Sequence, residues 1–153
     1  MSDFALLAPV PIGLLEASGV VEEHEGKVAF GSNAWELFRK LDDLRGAEVI
    51  DVFIYASRND EPSDLDATWT GRYVGHKESR GGAHPDGRRY RPDSTRAEDK
   101  TGHWAVFWEV VNLRRLPTPI PVADFVGYRK QRQYRTNFVP EGPVIVHQPP
   151  AAV

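Results

Sequence analysis

Apolar residues come in short runs along the chain, and their spacing predicts mostly strands. Phe4 to Val10 and Val28-Ala29-Phe30 give the first two. Asn33 then caps a helix, with Glu36 three residues on to complete a capping box. Leu37, Phe38, Leu41 and Leu44 recur at helical spacing, and Gly46 ends it. Val49 to Ser57 is rich in β-branched and aromatic residues and predicts a strand. Thr68 to His76 alternates Trp69, Gly71, Tyr73 and Gly75 against Thr70, Arg72 and Val74, so a strand with one special face is expected. Trp104 to Leu113 is the strongest strand, apolar on both faces as a central strand or barrel wall requires. Pro117, Pro119 and Pro121 are expected to break the chain after it, Val122 to Arg129 to form a short helix, and Pro143 to His147 a last strand. Asn59 to Asp66 reads as an acidic loop. Lys77 to Gly102 is a long, polar, Gly-rich loop, of a length usually kept for function.

Helices do not alternate regularly with strands, so a doubly wound parallel sheet is not expected. The expected fold is α+β: a small, mixed, mostly antiparallel pseudo-β-barrel with one or two flanking helices. No internal repeat is visible, and a single domain is expected over residues 1–148, with 149–153 as a disordered tail.

At 153 residues, 41% hydrophobic and 27% charged, the chain has the make-up of one folded domain. It has no cysteine, which removes disulfides, thiolate metal sites and cysteine nucleophiles. No run of eighteen apolar residues exists, so no membrane span is expected. Residues 1–11 lack a basic start and carry Pro9 and Pro11, unlike a secretory signal. A soluble cytoplasmic protein is the expectation. The net charge of −3 hides an asymmetry: residues 1–71 hold 14 acids and 5 bases, residues 72–153 hold 8 and 14. The bases cluster at 72–96 and 114–135. A local contact with a polyanion fits this; a solvated face neutralised by the acidic half is the competing account.

The candidate chemistry is first aromatic. Tyr55 and Ser57 close one strand, Trp69 and Tyr73 share a face of the next, and Trp104 and Trp108 share a face of the third. Around one cavity these rings can stack on a flat base, and Tyr, Ser and indole groups can read its edge. Core packing is the competing account, favoured for Trp108 and Phe107. The second group is basic: Lys77, Arg80, Arg88, Arg89 and Arg91 on the long loop are candidate phosphate contacts, interleaved with Tyr90, and Arg129, Lys130, Arg132 and Arg135 repeat the pattern. His76, His84 and His103, with Asp86, have no metal-ligand spacing, so no metal or other cofactor is expected. Glu109, alone in an apolar strand, is expected to face solvent at an edge; a buried catalytic or base-reading carboxylate is the alternative. Dinucleotide, P-loop, nucleophile-elbow and HExxH motifs are all absent.

Asp51-Val52-Phe53-Ile54-Tyr55-Ala56-Ser57, then Tyr90-Arg91-Pro92-Asp93-Ser94, then the strand led by Trp104, then Leu116 to Phe125, follow one another in an order that resembles the EVE branch of the PUA-like superfamily, to which ASCH and YTH domains are related. The likeness spans residues 49–126, and the chain departs from the pattern at Ala56, where EVE domains usually carry His. The resemblance implies a pseudo-barrel with a pocket beside the Tyr55–Ser57 strand end, binding RNA or extruded, modified bases. Tyr55, Ser57, Trp69 and Trp104 would line it, with Asn33 and Trp35 at the rim. The expected function is thus a nucleic-acid-binding module, for RNA or DNA, that takes a base in an aromatic pocket and is not an enzyme. An ASCH-like hydrolase using Glu109 with Lys77 or His76, and a pocketless interaction domain, are the alternatives.

Overall fold

The strand led by Val106 is the longest, and it passes straight through the three prolines. In the computed structural model, which describes residues 3–57, 66–92, 95, 99, 100, 102, 104–128 and 142–149, β5 runs Val106–Pro121. The strand therefore runs through Pro117 and Pro119 and stops at Pro121, where a 3-10 turn follows. Beyond Val110 this strand pairs with one neighbour only, and an edge ladder uses alternate N–H groups, so prolines at every second position are tolerated.

The remaining strands are β1 (Phe4–Pro11), β2 (Val28–Ser32), β3 (Ile50–Ser57), β4 (Asp66–Glu78) and β6 (Val144–His147). Together they form one mixed sheet, ordered β2-β5-β4-β3-β1-β6, in which only the β1–β3 pair is parallel. The fold is α+β and mostly antiparallel, as expected. The sheet keeps two ends, β2 and β6, and does not close by strand pairing into a barrel. Both ends are covered. Ala29 of β2 takes its backbone bond to Tyr90, and residues 126–128 bond to Ile145 and His147 of β6. Covered ends remove templates for strand addition.

Two helices lie on the sheet. α1 (Ile12–Glu25) follows β1 without a break, and the pattern of apolar positions does not announce it. Its sequence sets Gly13 and Gly19 among apolar residues in the first two-thirds and gathers acids at the end, so no stripe repeats at 3.6. α2 (Trp35–Arg45) is the expected helix, with Phe38 and Leu41 buried and Gly46 closing it at φ 59°. Its N-terminus differs from expectation: Asn33 is no cap. The Asn33 Oδ1 instead accepts the Ala105 N–H at 2.9 Å, while Ser32 Oγ accepts the Ala34 N–H at 3.1 Å. The expected helix after residue 121 is a single 3-10 turn, Val122–Asp124. The acidic loop at 59–65, the bases 129–135, Arg96, His103 and residues 150–153 lie outside the described residues.

Strands β1 and β3 are apolar on both faces because both faces are covered. Leu6, Ala8 and Val10 with Val52, Ile54 and Ala56 pack under Leu15 of α1 and Phe38 and Leu41 of α2. Ala5, Leu7, Phe53 and Tyr55 pack on the other face against Leu116, Val122, Phe125 and Val146.

Candidate functional site

Residues of β2 face the end of β1 across a hollow of about 110 Å³. Its walls are Pro9, Val10 and Pro11 of β1, Leu14 of α1, Phe30 and Gly31 of β2, Trp108 of β5, Trp104 just before β5, and Arg91 of the long loop. These two strands stand at positions one and five of the sheet order, so sharing a hollow requires strong curvature. Phe30 and Trp108 sit opposite each other across the β2–β5 ladder, with ring centroids 4.9 Å apart. Gly31 lets the Trp104 indole lie directly on the strand backbone: a Cβ there would stand 2.6 Å from the ring.

Arg91 closes this hollow from the loop side. It is 4% exposed. Its Nε and Nη2 donate to both carboxylate oxygens of Asp99, the shortest at 2.9 Å, and its Nη1 donates to the Ala29 carbonyl at 2.8 Å. The guanidinium also lies over the Phe107 ring at 5.0 Å. Asp99 takes further bonds from Arg88 and from the Thr95 hydroxyl. Burial raises the Asp99 carboxyl, but the bonds and charge of Arg91, with Thr95 and Arg88, outweigh it and hold it below the ordinary range.

Behind Phe107 lies a second buried network. Glu109 is 3% exposed, on a strand flanked by β2 and β4, so the expected solvent-facing edge position is corrected. It accepts from Lys27 Nζ at 3.1 Å and meets His84 Nε2 at 3.1 Å. The Asp86 N–H donates to His84 Nδ1 at 3.0 Å, which fixes Nε2 as the nitrogen that carries the proton to Glu109. Burial pushes the Glu109 carboxyl up, and the bonds and charges of His84 and Lys27 bring it below its usual value. A second hollow, of about 140 Å³, lies beside this network and is lined by Ala83, His84, Gly87, Arg88, Asp99 and Lys100.

Of the residues singled out in the sequence, Trp104 lines the aromatic hollow, and Ser57 is paired in register with Pro11 of its wall. Tyr55 does not line it. Its side chain is fully buried on the opposite face of the sheet, among Phe53, Leu116 and Phe125. Tyr73 is fully buried too; its hydroxyl donates to Asp42 at 2.9 Å, and burial and the Asp42 charge push the phenol far above its ordinary value. Trp69 is half-buried on the helix-covered face with Arg115 4.9 Å over its ring, away from the hollow. Trp35 is exposed, with Arg39 stacked on it at 4.9 Å. Asn33 is spent on Ala105, the residue after Trp104. Tyr55, Trp69 and Trp104 therefore do not share one cavity. Pro9, Pro11, Phe30 and Gly31 were outside the expected set; the Phe30-Gly31 pair, a ring beside a residue with no side chain, was the available signal.

The phosphate candidates separate in the same way. Arg91 and Arg88 are tied to Asp99, and Arg89 pairs with Glu25 at 2.9 Å and stacks on Tyr90. All three face carboxylates of the protein itself. Lys77 and Arg80 are exposed and, among the described residues, carry no ion pair. They flank Ser79, whose N–H bonds to the Ala105 carbonyl, so they lie at the Trp104 end of the sheet.

His76 bonds to Asp42 through Nδ1 and lies against Phe38. Among the described residues no group of three metal-ligating side chains forms, and no helix is long and apolar enough to cross a membrane. No protein-family model, curated protein or solved structure matches this chain.

Proposed function

We propose that this chain is a nucleic-acid-binding module that accepts one unpaired base in the hollow between β1 and β2. The observation that carries this reading is the hollow of about 110 Å³ lined by the half-buried Trp104 together with the buried rings of Phe30 and Trp108. An apolar cavity of roughly 150 Å³ is enough to hold benzene, whereas pockets for drug-sized ligands run to roughly 300–1,000 Å³. At about 110 Å³ the hollow takes a flat ring only in part, by its edge, with sugar and phosphate left outside. Lys77 and Arg80, at the same end, are placed to meet those phosphates. On this reading the curved sheet is a PUA-like pseudo-barrel of EVE type, with the ligand in the gap that strand pairing leaves open.

The hydrolase alternative needs an acid–base pair within reach of the bound ring. Glu109 meets Lys27 and His84 instead of the expected Lys77 or His76, which bonds to Asp42, and this cluster lies behind Phe107 with both His84 nitrogens bonded. Binding without chemistry is therefore the reading adopted.

Titration with single-stranded RNA and DNA, read by tryptophan fluorescence, tests it. Binding is expected to weaken steeply with salt, and Trp104→Ala to cost about 1–3 kcal/mol, the scale of one base stacked on an aromatic ring. Failure of both polymers to bind at low salt would overturn the reading.

A further inference from the structure

We infer that the hollow selects an uncharged ring and rejects an anionic one, and that Asp99 is the positioning residue that sets this selection. The inference rests on the base-binding reading above and names its ligand class. Arg91 is the cation in a wall otherwise built from Pro9, Val10, Pro11, Phe30 and the two indoles. Left alone, a buried guanidinium would draw an anion into an apolar space. Here its Nε and Nη2 edge is closed by a two-oxygen clasp from Asp99, and its Nη1 is held by the Ala29 carbonyl. The charge beside the hollow is thus already balanced. The Asp99 carboxyl, with its bonds to Arg91, Thr95 and Arg88, stays ionised well into acid.

An anionic ring entering this space loses its water and finds its cation occupied, so desolvation goes uncompensated. A cationic ring likewise loses its water and finds no carboxylate in the wall. A neutral ring loses little on desolvation and gains stacking on Trp104, the half-buried indole of the wall; Trp108 is already packed by Phe30 and Phe38. Arg88 adds a further positive charge to the cluster, but it reaches Asp99 from the other hollow with 29% of its side chain exposed, where water and salt screen it.

Uracil and orotate make the test, because they share one ring and differ by a carboxylate. Calorimetric titration of the full chain is expected to show uracil binding at least about tenfold tighter than orotate, the direction set by uncompensated desolvation of the anion. Asp99→Asn uncovers the Arg91 charge and is expected to raise orotate affinity by about tenfold while uracil changes less than about twofold. A purely structural loss would weaken both rings together, so the ratio is the readout. Equal binding of the two rings to the unaltered chain, or an unchanged ratio in Asp99→Asn, overturns the inference and leaves base binding standing. Absence of uracil binding overturns the base-binding reading itself. If Asp99→Asn does not fold, the ratio in the unaltered chain decides.

Discussion

A carboxylate on a central strand, as Glu109 is, stays charged only with partners, and its partners come from elements far apart in the sequence. Lys27 precedes β2 and His84 belongs to the long loop, so the charge ties that loop to the sheet. The consequence for pH has a definite sign. The folded carboxyls of Glu109 and Asp99 lie below their unfolded values, so each favours folding while ionised. That contribution is complete above the unfolded values, about 4.3 for Glu and about 3.9 for Asp, and is lost as pH falls through the folded ones. Urea unfolding is expected to show stability falling below about pH 4.5, and Glu109→Gln to flatten that fall while lowering stability at pH 7. At the same scale, Tyr55→Ala removes a fully buried ring and is expected to destabilise by about 3–5 kcal/mol in thermal or urea unfolding. Its aromatic neighbours in sequence were legible, but not its role. Period-two alternation tells which residues share a face, and β3 is buried on both, so nothing local says which face adjoins a hollow.

At the scale of elements, propensity and pattern located five of the six strands and α2 within a few residues, because each carries its own period. What stayed hidden depends on neighbours. β5 runs through its prolines only because its far half is an edge, a fact of sheet order. Where β5 leaves β2 behind, Asn112 turns to φ 57° and the Leu113 N–H finds no strand. The Glu22 carboxylate from α1 accepts it, at 2.9 Å to the nearer oxygen. Glu22→Ala is therefore expected to cost about 1 kcal/mol in unfolding, as for a part-buried donor that loses a charged partner but can reach water, with Glu22→Gln recovering part of it. The glycines of the long loop have a similar origin. Gly82 at φ 83° packs on the Gly102 backbone so closely that an added Cβ would stand 1.6 Å from its carbonyl oxygen. Gly82→Ala is expected to force the two ends of the loop apart and to expose residues 80–92 to limited proteolysis, which leaves the unaltered chain intact much longer.

Across the whole molecule, curvature and charge decide what the hollow can meet. Curvature brings the prolines of β1 to the rings of β2 and β5, four and three places away in the sheet, and no stretch of sequence contains that meeting. Charge is distributed against first appearance: the arginines densest in sequence are consumed internally, and Lys77 and Arg80 are left outward at the Trp104 end. Each cation that contacts a phosphate releases about one counterion, so its removal lowers the slope of log affinity against log salt by about one. Lys77→Ala and Arg80→Ala are each expected to reduce the slope for single-stranded nucleic acid by that amount and to weaken all sequences alike. Arg89→Ala, whose charge already faces Glu25, is expected to leave the slope nearly unchanged. Trp104→Ala is expected to do the reverse of the lysine change: lower affinity at every salt concentration with the slope preserved, since stacking moves no ions. A slope that responds to Arg89 and not to Lys77 or Arg80 would place the phosphate path along the loop instead of across the strand ends.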